Sequence, residues 1–377
     1  MKTLKIYRAI IIAALAVVSA PNLYGQRAYN IYFGNIHSHT SFSDGTKDSL
    51  TSKVKTPAQA YDYAKKTQHL DFLGISEHNH KQAGMKSKAN YALGTAQAKN
   101  ATQNGKFVAL YGMEYGVIKN GGHVLIYGID KLIGWEAGNF DIFNPQFDYT
   151  ALFTTIASTP NTFATLAHPD PEHFNGLKGK PYTLVADQAI TGVAITTGQY
   201  NSKLTDYSVK RPLAFYGYYT ALLSKGYIIG PTMDHDNHNT TFGRHTASRT
   251  AVLAKSLTEF DIIDAYRANR FYATQDWNTI VDFTINGETM GGYVKQAAAL
   301  EIKASVSDAD ANDTIKSIEL IYGVPGSGIA PKKLTASTSA SLTQQFQMET
   351  GEAYYFFLKI TQNDGDQIIT SPIWAKN

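Results

Sequence analysis

Cysteine is missing from the chain altogether. Its absence excludes disulfides, thiolate metal ligands and a cysteine-linked lipid anchor, and it leaves any metal to histidine and carboxylate ligands. Long apolar runs are missing too. The longest, Ala9 to Ala20, follows Lys2, Lys5 and Arg8, precedes Leu23-Tyr24-Gly25, and is too short to span a bilayer comfortably. This pattern predicts a secretory signal peptide over residues 1–25, hence an exported protein, periplasmic or secreted, without stable membrane insertion. Excess charge is also lacking. The formal net charge of +3 resides in the leader, and the remainder carries 31 basic and 31 acidic residues. A general nucleic-acid-binding or acidic-membrane surface is therefore not expected. Neither a Ser-His-Asp nor a Cys-His arrangement stands out. The roughly 350 residues after the leader suit one large domain and a small one.

What the chain does have is histidine placed at the ends of apolar segments. After Ile31-Tyr-Phe comes Asn35-Ile-His-Ser-His-Thr-Ser-Phe-Ser-Asp-Gly45. Side chains alternate along an extended chain, so His37 and His39 point the same way, with Asp44 on the loop that follows. Thr56 and Pro57 open a predicted helix. Leu70 to Ser76 reads as a strand leading to Glu77-His78-Asn79-His80, and Lys86 to Asn104 as a helix. Phe107 to Met113 is a predicted strand ending at Glu114, and His123 begins another. A helix over Tyr149 to Ser158 precedes a strand that ends in His168-Pro169. Ile190 to Ile195 is a strand and Asp206 to Lys225 a helix or helix pair; Tyr227 to Met233 is a strand ending in Asp234-His-Asp-Asn-His238. Alternating strands and helices predict a parallel α/β architecture, with polar strand ends placed where such folds carry active sites.

The histidines stop after His245, and from about Trp277 the chain is rich in Thr, Ala and Ser. Val281 to Gly287, Leu300 to Val306, Ser317 to Tyr322 and Tyr354 to Ile360 alternate in polarity, and Asn286-Gly287 and Asp364-Gly365 are hairpin signals. A small antiparallel β-sandwich over 277–377 is expected.

The ordered set His37-x-His39, Asp44, Glu77-His78-Asn79, Glu114, His123, His168-Pro169 and Asp236-x-His238 resembles the PHP (polymerase and histidinol phosphatase) superfamily. Phe242-Gly243, Arg249-Thr-Ala-Val252, Asp264 to Thr274 and Ser371-Pro-Ile-Trp374 look like its exported branch that includes carbaryl hydrolase. The resemblance implies an α/β fold, a distorted (βα)7-type PHP barrel over 26–276 followed by the sandwich. It also implies two or three divalent metal ions, Zn, Mn or Fe. His37, His39, Glu114, His168, Asp236 and His238 would hold or bridge them, and Asp44, His78 and His123 would complete a trinuclear set. Glu77, where the family more often has Asp, would support His78 from behind, and Asp234 could face the site while His235 faces away.

Two metals about 3.5–4 Å apart can bridge a water, bring its pKa towards about 7 and present hydroxide to an electrophile. Glu114, with two oxygens, suits a bridge; His78 and Arg244 are further catalytic candidates, Arg244 as a clamp for an anionic substrate. His80 and His245 are candidate proton donors, and Tyr200 a candidate cleft wall. The expectation is a metal-dependent hydrolase of a small-molecule ester, a phosphoesterase first. The alternatives are a carboxylic or carbamate ester hydrolase on the same metals, and a degenerate barrel that binds carbohydrate or a surface.

Overall fold

The computed structural model describes residues 28–117 and 120–377; the expected signal peptide lies outside them. Nine strands carry the first two thirds of the chain: β1 (Asn30–Asn35), β2 (Phe72–His78), β3 (Val108–Val117), β4 (Asn120–Tyr127), β5 (Phe163–Ala167), β6 (Ile190–Thr197), β7 (Gly230–Asp234), β8 (Arg249–Ala254) and β9 (Phe271–Thr274). Six helices longer than one turn lie between or beside them: α1 (Pro57–Ala64), α2 (Lys88–Ala101), α3 (Tyr149–Ser158), α4 (Leu184–Ala189), α5 (Tyr216–Lys225) and α6 (Glu259–Arg267). The molecule is mixed α/β with more strand than helix. Among the described residues no helix is long and apolar enough to cross a membrane.

Local chemistry accounts for the elements. The Thr56 side chain accepts from the Gln59 N–H, and Gln59 reaches back to the Thr56 N–H, a capping box that opens α1 with Pro57 in its first turn. Strands β2, β3 and β5 are buried throughout, as expected of strands covered on both faces. The order from β1 through β2, β3, β4, β5 and β6 to β7 is parallel except at β4, which runs antiparallel to both β3 and β5. Strands β3 and β4 form an antiparallel hairpin, where the expected architecture is parallel. Glu114 accordingly lies inside β3 rather than at its end. The first and seventh strands are drawn together at the site end, where Ser38 and Asn237 form a parallel bridge and the Asp236 N–H donates to the His37 carbonyl at 2.9 Å.

A second departure is the helix expected over Asp206 to Lys225, which begins only at Tyr216. Tyr207 has a left-handed backbone (φ 63°), and Pro212 lacks the N–H that a helix interior needs.

The tail forms two packed sheets. Its main strands are β10 (Ile280–Ile285), β11 (Ala299–Ser307), β12 (Ile315–Gly323), β13 (Ser341–Gln347), β14 (Ala353–Gln362), β15 (Gln367–Thr370) and β16 (Ile373–Lys376). Alternate side chains of β10 and β11, including Val281, Phe283, Leu300, Ile302 and Val306, meet Ile318, Leu320, Phe356 and Leu358 in one apolar cluster. Asn286 and Gly287 take positive φ, 50° and 87°, in the hairpin turn after β10. The tail is joined to the first sheet by hydrogen bonds, since β15 pairs antiparallel with β9.

Arg249 is fully buried on β8. Its guanidinium donates to the carbonyls of Gln68, His69, Gly243, Thr246 and Ser248 at 2.8 to 3.3 Å. Burial pulls its pKa down to about 10, which leaves it charged at neutral pH. Arg249→Lys offers three donors in place of five and leaves at least two of those contacts unmade, and at roughly 1–3 kcal/mol for each unsatisfied buried group the variant should lose at least about 2 kcal/mol of unfolding free energy in denaturant titration.

Candidate metal centre

The convergence is built by five chain segments, one of them the turn after β5, which carries His168. Strand β1 delivers His37 and His39; β2 ends in His78; the β3–β4 hairpin brings Glu114 and His123; and the turn after β7 carries Asp236 and His238. Asn35 knits the first and last together. Its Oδ1 accepts from the His37 and His235 N–H groups, and its Nδ2 donates to the His37 carbonyl and the Ser38 hydroxyl. Backbone strain collects here as well. His168 and Asp236 have φ of 27° and 49°, conformations that non-glycine residues adopt at a cost of about 1–3 kcal/mol when surrounding structure holds them.

Glu114 stands at the centre. Its Oε2 lies 3.2 Å from His37 Nε2, 3.1 Å from His39 Nε2 and 3.5 Å from His78 Nδ1. Its Oε1 lies 2.7 Å from His123 Nδ1 and 3.1 Å from His168 Nε2. Asp236 Oδ1 is 3.2 Å from His37 Nε2 and 3.3 Å from His39 Nε2. Asp44 Oδ1 is 3.2 Å from His238 Nε2 and 3.7 Å from His78 Nε2. The structure thus brings together His37, His39, Asp44, His78, Glu114, His123, His168, Asp236 and His238. Eight of them fall into three overlapping groups: His37, His39, Glu114 and Asp236; His39, Asp44, His78 and His238; and His78, Glu114 and His123.

Two observations test whether these residues suit a metal. Ligands about 2.1 Å from an ion stand roughly 3.0 Å apart on an octahedron and roughly 3.4 Å apart on a tetrahedron, which matches the contacts above. Moreover, His37 Nε2, His39 Nε2, His78 Nδ1, Asp44 Oδ1 and Glu114 Oε2 are all buried with no hydrogen-bond partner. Short distances without hydrogen-bond alignment mean that the lone pairs aim at shared points rather than at one another. The donor set fits divalent Zn, Mn or Fe.

The surroundings orient the ligands. Asp234 Oδ2 takes His37 Nδ1 at 3.1 Å, which turns Nε2 towards Glu114 and Asp236. Glu77 does not support His78 as expected. It accepts from the Thr40 N–H at 3.0 Å and the Ser43 N–H at 3.1 Å, and from both hydroxyls. It therefore fixes the loop carrying Asp44. Burial, opposed by His39 and these donors, pushes the Glu77 pKa up to about 7. His235 faces away, with Nε2 2.7 Å from the Ser248 carbonyl.

Arg244 is a correction. Its guanidinium stacks 4.8 Å over the Tyr63 ring and donates to the Lys66 carbonyl at 2.8 Å, outside the cleft. The turn from Thr241, with Gly243 at φ 87°, directs it there. The cleft's cations are instead Lys47 and Arg211, which line a hollow of about 500 Å³ together with Gln199, Tyr200, Asp236 and His238. The proton-donor candidates are not brought to the cleft: His80 packs against Trp135 and His245 against His235. A larger hollow of about 740 Å³, between α2 and α6 at the far end of β3, is lined by none of the histidines.

Comparison with known proteins gives no family. No family model matches the chain, and no curated protein does. Among solved structures, the lesion-specific endonuclease PfuEndoQ from Pyrococcus furiosus is similar over 63% of this chain and 56% of its own, at 13% identity and a TM-score of 0.33. A superoxide reductase (neelaredoxin) from Ignicoccus hospitalis is similar over 26% of this chain and 80% of its own, at 15% identity and a TM-score of 0.20. Fibronectin(III)-like modules of Clostridium thermocellum CbhA match over 26% of this chain and 96% of their own, at 19% identity and a TM-score of 0.19. At these scores the site's own geometry has to carry the functional argument.

Burial alone would lower the His39 pKa; the Asp236 and Glu114 carboxylates that face it outweigh that and push it up to about 10. His37 is likewise raised, with burial opposed by Glu114 and Asp236. A metal has to displace these protons. Metal uptake by chelator-treated protein should therefore release protons into weak buffer, and apparent affinity should rise from pH 6 to pH 8. Asp234→Asn, which loosens His37, should weaken metal binding roughly 10–100-fold by competitive chelation.

Proposed function

We propose that the protein is a metal-dependent hydrolase acting on an anionic small-molecule ester, most readily a phosphoester. The observation that carries this is Glu114: each of its two oxygens faces a different set of imidazoles, the arrangement of a carboxylate shared between ions. Bound there, divalent ions supply a water of lowered pKa and stabilise negative charge on the substrate. The chain's own part is to hold the ligands, with Asp234 fixing His37 and Glu77 fixing the Asp44 loop. Lys47 and Arg211 offer positive charge at the cleft, which favours an anionic electrophile. A hollow of about 500 Å³ suits a small molecule. The ordered motif resemblance to the PHP superfamily supports the same chemistry, and the N-terminal pattern supports export.

Metal analysis of gently purified protein should give two or three equivalents of Zn, Mn or Fe, substantially reduced in Asp236→Ala/His238→Ala. The loaded protein should hydrolyse an aryl phosphate, and His37→Ala should lower kcat/KM at least ~10³-fold, the scale of losing several kcal/mol of charge stabilisation. Turnover of aryl carbamates without any phosphatase activity would move the assignment to carbon esters. Failure to bind metal after reconstitution with each ion would sink the hydrolase reading.

A further inference from the structure

Arg211 reaches the metal cleft from a segment that is neither helix nor strand, and that segment is held from two sides. On the side of the histidines, the Tyr207 and Val209 N–H groups donate to the carbonyls of Arg244 and His245 at 2.8 and 2.9 Å. The Thr196 hydroxyl of β6 donates to the Pro212 carbonyl at 2.8 Å. On the side of the sandwich, Lys210 Nζ lies 3.0 Å from Asp364 Oδ2 and 2.8 Å from Asp366 Oδ1, both on the turn between β14 and β15. Gln275, just after β9, makes a second link. Its Nε2 donates to the Arg211 carbonyl at 2.7 Å, and its Oε1 accepts from the Gln367 N–H of β15 at 3.0 Å.

Local geometry turns the two basic neighbours opposite ways. Pro212 disfavours a helical backbone at Arg211 and biases it towards extended conformations, in which successive side chains point to opposite sides. Lys210 goes to the sandwich and Arg211 to the cleft. An exposed arginine is ordinary on a protein surface. This one has an anchored backbone and lines a hollow together with the candidate metal ligands. Among the described residues, no carboxylate pairs with its guanidinium. Thr197, beside the threonine that holds Pro212, lines the same hollow, and its hydroxyl is buried with no hydrogen-bond partner. A guanidinium fork and a hydroxyl without protein acceptors are donor chemistry for an anionic oxygen group.

We propose that Arg211 takes the anionic oxygens of the substrate, and that the sandwich sets its place through two positioning residues, Lys210 and Gln275. The identity of that anion as a phosphoryl group rests on the hydrolase reading above; the anchoring does not. The tail is then part of the site's specificity as well as a packed unit of its own. A phosphomonoester carries three acceptor oxygens and about two negative charges at neutral pH. It suits Arg211 and Lys47 together better than a diester, which has fewer of both.

Calorimetric titration of the metal-loaded, full-length protein with phenylphosphonate, an unhydrolysable stand-in for an aryl phosphate, reads the subsite without turnover. Arg211→Gln should weaken phenylphosphonate binding roughly tenfold or more, the scale of a charge-assisted hydrogen bond. It should raise KM for an aryl phosphate by a similar factor while kcat changes little, and Arg211→Lys, which keeps the charge, should recover part of the loss. Lys210→Met/Gln275→Ala leaves Arg211 present but unheld. It should weaken phenylphosphonate binding roughly threefold, since exposed contacts are individually weak, and Lys210→Arg, which still reaches both aspartates, should bind as the wild type does. Equal metal content in every variant guards against misfolding. Phenylphosphonate affinity indifferent to Arg211→Gln, in a protein that hydrolyses aryl phosphate, overturns the inference and leaves the hydrolase reading standing. Binding that depends on Arg211 without any ester turnover does the reverse. A lowered Tm with unchanged affinity in Lys210→Met/Gln275→Ala would overturn the part given to the sandwich.

Discussion

The centre depends on one buried carboxylate that meets five imidazoles. Glu114 is 1% exposed, and burying its charge would be prohibitive without compensation. His37, His123 and His78 supply it, and they hold the Glu114 carboxyl well below the usual carboxylate range although burial pulls the other way. The imidazoles depend on it in return, since Glu114 and Asp236 face His37 and His39, and with Asp234 on His37 they keep those pKa values raised. Only Glu114 and His123 meet within one hairpin; the remaining ligands find their partners when the distant segments come together.

The sheet explains how they meet. Parallel strands β1, β2 and β7 present their carboxyl ends on one side, as expected of an α/β ring. The exception, β4, is the useful one. Because it returns antiparallel from β3, its beginning lies where the other strands end, and His123 arrives at the same rim as Glu114. The Ser38–Asn237 bridge then sets the first histidine pair against Asp236.

Much of this was legible in the chain. Histidine at strand ends, in the order His37, His39, His78, His123, His168 and His238, points to the centre in the sequence itself, and alternation points to the sandwich strands. What escaped was whatever depends on direction or on partners far away. Periodicity carries no strand polarity, so it does not reveal the β3–β4 hairpin, and the apolar run stops at Met113 although the strand continues past Glu114. Glu77 next to His78 suggested support for that neighbour, but in a strand adjacent side chains point to opposite faces, and Glu77 reaches the Thr40–Ser43 loop instead. Arg244 followed the histidine cluster in sequence, and proximity in sequence proved a poor guide: an aromatic ring and a free carbonyl outside the cleft claimed it. Arg211, with no motif around it, gave no signal at all.

Arg249 also bears on the order in which the chain can fold. Its partners Gln68 and His69 lie 181 and 180 residues before it, and strand β1 pairs with β8 across a similar span. A guanidinium stays hydrated until enough carbonyls replace its water, so that corner cannot dry out while the intervening chain is still searching. Loop-closure entropy sets a toll on such distant pairings that only later contacts repay. Pairing of β1 with β8 and arginine desolvation should therefore be one late, cooperative step, with the local β3–β4 hairpin free to form long before it.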